Sequence, residues 1–419
     1  MVPPAKSGTI MTPTTITADP SRASDFRVIT LVGAAHFVSH VYILALPPLF
    51  VFLRADFGVS YVELGWAIAL FNVLTGTLQT PAGFLADRIS ARAVLVGGIV
   101  LGAASLLLAA YASSFALFVV AVGLLGLGNT VYHPADYALL SSRISAQRMS
   151  QAYSIHIFAG FTGTAVAPAL MIALAQTIGW RAGLVAIAIM GFVVAAAIML
   201  FGEVLAGRSS ARASGSATDT RTDWRLFTSA PVLLNLIFFM LLAMVATGVG
   251  SYGIVALEVQ WNTSLSLATT ALTAYLGMSA LAVLVGGMVS ARTDRHDIVA
   301  TAGLALSAIT LIPIAFVDLG AAFLVAMLGI SGFFNGFIQP SRDMLVRSVT
   351  PPGAFGKVFG FITTGFNIGG MIAPPMFGYM MDHGSPRGVL IGSAVCALIA
   401  IPTVLITVSQ GAKKTPHQG

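Results

Sequence analysis

Asn129-Thr-Val-Tyr-His133-Pro134 is answered 206 positions later by Asn335-Gly-Phe-Ile-Gln339-Pro340. The same displacement sets Ala167-Pro168 on Ala373-Pro374 and Arg181 on Arg387. One offset that holds over more than fifty residues indicates a duplicated unit. In carriers built from two such repeats the substrate site is expected near the midplane between them. This favours an alternating-access carrier over a single solvated channel.

The chain outside those segments says which solvent the repeats fold in. It has 419 residues, 57% of them apolar and only 9% charged, against about 25% charged in a soluble domain. A soluble fold of this size would lack the polar residues to cover its surface. Apolar stretches near the roughly 20 residues needed to cross a bilayer follow one another throughout. They read as spans at 28–53, 61–84, 93–112, 115–142, 149–177, 181–203, 230–257, 266–290, 298–317, 319–346, 355–381 and 388–409. The expected fold is all-α and polytopic, with twelve transmembrane helices in two pseudo-symmetric six-helix bundles, 28–206 and 229–410. A cytoplasmic linker, 207–228, joins them. Residues 1–27, rich in Thr, Pro, Ser and Ala, read as a disordered tail rather than a signal peptide; residues 411–419 read as a second tail. The single cysteine, Cys396, excludes a disulfide framework and a cysteine-built metal centre.

Basic residues test this topology, because they stay on the cytoplasmic side. With both termini inside, seventeen of the 21 Lys and Arg fall on inner segments. Arg54, Arg181 and Arg387 fall on outer loops, and Arg342 lies within a span. Shifting the assignment by one helix destroys the asymmetry. The net charge of +6 thus reflects orientation and gives no reason to expect nucleic acid. A multi-pass protein of the cytoplasmic (inner) membrane, monomeric and without cofactor, is expected.

At the junction of the second and third spans stands Gly83-Phe-Leu-Ala-Asp87-Arg88-Ile-Ser-Ala-Arg92, with a degenerate copy around Gly287 that ends in Asp294-Arg295. This resembles the loop motif of the major facilitator superfamily. The resemblance implies a latch at the inner face that holds the cytoplasmic gate shut, with Asp87, Arg88, Arg92, Asp294 and Arg295 as gating residues. The alternative is that these charges only fix topology. A finer resemblance is carried by His36-Phe-Val-Ser-His40 with the following Leu46-Pro-Pro-Leu49, and by Val131-Tyr-His133-Pro134-Ala-Asp136. These look like the fosmidomycin-resistance group of efflux carriers, which implies export. Two features depart from drug–proton antiporters. No arginine occurs from Val119 to Asn129, and Gly163-Thr-Ala-Val-Ala167-Pro168 has alanine before its proline.

A charged group at mid-bilayer costs roughly 2.5–3.5 kcal/mol on insertion scales, so ionisable residues within spans are functional candidates. His36 and His40, four apart, share a helix face. His133 and Asp136 share the fourth span, and Tyr153 and His156 the fifth. Histidine titrates near neutrality, which suits a group that carries a coupling proton or binds substrate. In the tenth span Arg342 offers a bidentate fork to an anionic group, unless Asp343 neutralises it. Asn335 and Gln339 offer neutral hydrogen bonds to substrate or to neighbouring helices. Helix packing is the competing role for each histidine. His36 and His40 also make a workable metal pair, although Phe37 stands where zinc hydrolases carry glutamate. No phosphate-binding loop of nucleotide-driven pumps occurs. The expected function is proton-coupled transport of a small, anionic organic solute, with export preferred. Uptake of an organic acid and transport of a transition metal or its chelate are the alternatives.

Overall fold

The computed structural model describes residues 20–145, 148–205, 226–351 and 355–412. Residues 1–19, the polar stretch 206–225 and residues 413–419 lie outside the described residues, so most of the expected linker and tails does too. The first helix already exists at Pro20, so residues 20–27, which composition places in a tail, are helical. Asp25 anchors this turn by pairing with Arg148 at 2.9 Å.

Twelve long helical segments follow, each starting or stopping at a polar or glycine signal. They are α1 (Ser24–Phe57), α2 (Tyr61–Arg88), α3 (Ala91–Ala110), α4 (Phe115–Arg143), α5 (Gln151–Ile178), α6 (Trp180–Leu205), α7 (Ala230–Trp261), α8 (Leu265–Ser290), α9 (His296–Phe316), α10 (Gly320–Ser348), α11 (Phe355–Asp382) and α12 (Arg387–Gln410). Ser60, Ser90, Ser114 and Ser264 cap the first turns of α2, α3, α4 and α8. At Ser60 the bond is reciprocated by Glu63, which satisfies two otherwise orphaned donors. Eleven of the segments are long and apolar enough to cross a membrane. The twelfth, α11, has 28 residues but dilutes its apolarity with glycine, threonine, Asn367 and Pro374-Pro375. It tolerates them because it packs between α2 and α7. Large apolar side chains point outward, among them Leu200, Leu284 and Ile309, and no strand occurs among the described residues. This is a multi-pass membrane protein of two six-helix bundles.

The duplication is visible in the backbone. The helix of α4 is interrupted between Asn129 and Tyr132, and that of α10 between Phe337 and Gln339. Pro134 and Pro340 lie just beyond, where a missing N–H prevents a regular helical ladder. Hydrocarbon offers no replacement partner, so neighbouring side chains supply it. The Gly126 carbonyl, beside the α4 interruption, accepts from Thr75 Oγ1 of α2 at 3.0 Å. Gly126 and Gly332, one repeat apart, perform the same service. A Cβ on Gly126 would lie 2.7 Å from the Phe71 carbonyl oxygen of α2, and one on Gly332 would collide with the Tyr275 carbonyl of α8. Glycine lets these backbones touch.

The halves meet through α2 against α11 and α5 against α8. The described hydrogen bonds that cross between them lie toward the face that holds residues 60–62 and 382. Asp382 accepts from the Tyr61 and Val62 amides at 2.9 and 2.8 Å, and Tyr252 donates to the Tyr61 carbonyl at 3.3 Å. Asn72 Nδ2 donates to the Gly370 carbonyl at 3.0 Å. That carbonyl is one turn before Pro374, so its helical donor is missing. Toward the opposite face, which holds residues 88–92 and 347–351, no described hydrogen bond joins the halves. On that side His133, Tyr137 and Met344 and the Asp343 side chain are exposed, which reads as a gap between the bundles.

Gly332→Ala is expected to destabilise the protein by about 1–3 kcal/mol, because overpacking must move backbone. Gly97→Ala, which meets open space, is expected to leave stability near wild type. Thermal unfolding of the two variants in one detergent compares them directly.

Candidate functional site

Helices α1, α4 and α5 bring together His36, His40, His133, Asp136 and His156. The interruption of α4 starts a new short helix at Tyr132, which points Asp136 inward and leaves His133 exposed. Asp136, His156 and His36 are buried, at 0%, 1% and 4% exposure. The His36 and His156 rings stack at 3.7 Å between centroids. His40 meets His36 edge-on at 4.6 Å, and His133 lies 5.4 Å from it. Asp136 Oδ2 is 3.3 Å from His36 Nδ1 and 3.9 Å from His156 Nε2.

The charge balance is unusual for such depth. The only basic groups in ion-pair contact with Asp136, among the described residues, are the two imidazoles. An uncompensated buried carboxylate costs several kcal/mol, so Asp136 must either hold a proton or face an imidazolium.

His40 plays a different part. Thr164 Oγ1 donates to the Gly160 carbonyl at 3.1 Å, so its oxygen is free to accept from His40 Nδ1 at 2.7 Å. Two glycines of α5 make room. A Cβ on Gly160 would sit 2.7 Å from His36 Nε2 and 2.9 Å from His40 Nε2, and one on Gly163 would strike the Phe37 carbonyl. Tyr153 reaches the cluster only through Tyr137, whose ring lies 5.4 Å from Tyr153, 5.6 Å from His156 and 6.1 Å from His133. The sequence reading does not single out Tyr137, although its position four residues after His133 places it on the same helix face. Thr164 gave no signal apart from its helix.

In the second bundle Arg342 is 9% exposed and engaged on every side. Its Nε and Nη2 donate to Asp343 Oδ1 at 2.9 and 2.8 Å, and Nη1 donates to Gln339 Oε1. The guanidinium lies over the Phe239 and Phe366 rings, at 4.6 and 5.3 Å. The pairing with Asp343 weighed in the sequence therefore exists. The Asp343 side chain is 46% exposed, and Asn335 is half-buried.

The motif residues at the open face are separated by their own bonds. Arg92 donates to the Ile198 and Met199 carbonyls at 3.1 and 2.7 Å, which places a cation at the C-terminal end of α6. Arg295 grips Asp297 through two bonds of 3.1 Å. Asp87, Arg88 and Asp294 are exposed. The candidate metal pair also changes composition. His36 is grouped with His133 and His156, whose donor atoms lie within 4.8 Å of one another, rather than with His40.

Comparison with known proteins gives concordant findings. The Major Facilitator Superfamily profile matches residues 32–260 and 246–419. The fosmidomycin resistance protein of Escherichia coli strain K12 is 24% identical over 392 residues, which cover 91% of this chain and 93% of that protein. A probable L-galactonate transporter of the same strain is 24% identical over 143 residues, 34% of this chain and 32% of its own length. A bacterial homolog of the human lysosomal transporter Spinster, solved inward-facing and unoccupied, superposes with a TM-score of 0.78 at 15% identity. It covers 96% of this chain and 100% of its own, a likeness of fold alone.

Gly160→Ala is expected to push the His36 and His40 rings off α5 and to lower transport roughly tenfold or more, in line with the cost of a small misplacement of functional groups. Gly277→Ala, which meets nothing within 4 Å, is the control. Flux and unfolding temperature measured together separate loss of function from loss of fold.

Proposed function

We propose that this chain, which belongs to the major facilitator superfamily and is a membrane transporter rather than an enzyme, exports a small anionic organic solute in exchange for protons. The observation that carries the coupling is the buried Asp136, balanced only by imidazoles and opened to the gap through His133. His36, His40, His133, Asp136 and His156 hold and pass the proton, with Tyr153 behind Tyr137. Arg342, clamped between Phe239 and Phe366, offers its guanidinium to the solute anion as Asp343 turns away into the gap. Gln339 and Asn335 supply neutral hydrogen bonds. When the gap closes, Asp87, Arg88, Arg92, Asp294 and Arg295 form the gate of that face. Similarity to the fosmidomycin resistance protein over nearly the whole chain supports export. Uptake of an organic acid is the second reading, supported by the shorter match to the probable L-galactonate transporter.

In proteoliposomes, with fosmidomycin and L-galactonate as first probes, flux is expected to rise with an imposed pH gradient and to collapse with a protonophore. Flux indifferent to the gradient overturns proton coupling. Asp136→Asn and His133→Ala are expected to abolish gradient-driven flux while solute exchange without a gradient persists. Full gradient-driven flux in both variants removes these residues from the mechanism.

The protein functions as a monomer in the inner membrane with both termini in the cytoplasm, an orientation supported by its basic residues. With Cys396 replaced, a cysteine at Ser216 is expected to react with an impermeant thiol reagent only after cells are permeabilised. A cysteine at Ser113 is expected to react in intact cells. The reverse pattern inverts the topology.

A further inference from the structure

The histidine cluster holds more buried polar atoms than the described residues can satisfy. Both carboxylate oxygens of Asp136, His36 Nδ1 and both ring nitrogens of His156 are buried without a hydrogen-bond partner. Each unsatisfied group of this kind costs about 1–3 kcal/mol, and a charged one more. A proton satisfies one or two of these atoms. A multivalent cation satisfies several at once, provided that the donors converge.

One donor atom each from His36, His133 and His156 falls within 4.8 Å of the other two. Beside this trio, Asp136 Oδ2 lies 3.3 Å from His36 Nδ1 and 3.9 Å from His156 Nε2. A tetrahedral zinc ion with bonds of roughly 2.0–2.1 Å sets its ligands roughly 3.3 Å apart. The three imidazoles reach that spacing if their widest separation shrinks by at most about 1.5 Å. We propose that His36, His133 and His156, completed by Asp136, form a binding site for a zinc-class divalent transition-metal ion.

Donor chemistry selects the class of ion. Three imidazoles and one carboxylate suit zinc, cobalt or nickel, whereas thiolate-seeking ions find no sulfur ligand in this set. To bind, the stacked His36 and His156 rings must splay so that their in-plane lone pairs meet. His40 stays outside the set because its donor atoms are not among those that lie within 4.8 Å of one another. An entry path exists, since His133 is exposed while the other three groups are buried. The bound ion would tie α1, α4 and α5 of one bundle to a single centre. The site stands whether or not protons drive transport, because it is read without substrate or gradient.

The test uses the full-length protein, purified in detergent, stripped with a chelator and titrated with cobalt(II) at fixed pH. One equivalent is expected to bind with the visible absorption of a tetrahedral ion, to be displaced by zinc and to raise the unfolding temperature. His133→Gln and His156→Gln are each expected to weaken binding by at least ~100-fold, the upper end of what losing an outer partner of a ligand costs. His133 is exposed, so its variant keeps the assessment valid if His156→Gln fails to fold. His383→Gln, on the far face against Tyr379, is expected to bind as wild type. No tetrahedral spectrum, binding retained in His133→Gln, or binding lost in His383→Gln overturns the proposal. Metal-free flux under a pH gradient is measured on the same preparation, so failure of the metal site and failure of proton coupling are read separately.

Discussion

Hydrocarbon gives a backbone no hydrogen bonds, and each irregularity in these helices survives only where protein or an open gap takes over. Pro134 and Pro340 interrupt α4 and α10, and both interruptions face other helices rather than lipid. Near the first, Thr75 of α2 reaches the Gly126 carbonyl. The carbonyl of Gly370, deprived of its partner by Pro374, is met by Asn72 from the other half. These local debts place polar groups inside the molecule. They also start the short inner helices that carry Asp136 and Arg342.

Those two residues occupy the same place in the repeat, one offset apart. The duplicated backbone puts a carboxylate there in one half and a guanidinium in the other. Tyr137 and Asp343, the next residues in each copy, both have exposed side chains. The copies have thus kept a shared scaffold and divided the chemistry. The first bundle gathers imidazoles around a buried acid. The second fixes a permanent cation with aromatic faces, a glutamine and an aspartate.

The pattern of contacts between halves gives that division a direction. Asp382 caps the first turn of α2 and Tyr252 bonds the Tyr61 carbonyl, so one face is tied by several hydrogen bonds across the halves. At the other face Arg92 and Arg295 spend their hydrogen bonds within their own halves. The motif charges are therefore unengaged between the bundles in this state.

The residues themselves determined the twelve helices, the duplication and the membrane as solvent, because apolar length, a fixed offset and the distribution of basic residues are all properties of the linear chain. They also marked His36, His40, His133, Asp136 and His156, since an ionisable side chain in an apolar span is conspicuous without coordinates. What the chain could not decide was which of these touch. His36 turns toward Asp136 and His156 rather than only toward its neighbour His40, because α5 approaches α1 at Gly160 and Gly163, where any side chain would collide. Tyr137 joined the cluster, and Arg342 was found clasped by Asp343 and Gln339, through rotamers and helix rotation that no sequence interval encodes. Distances between helices are set by packing, and only the tertiary structure fixes them.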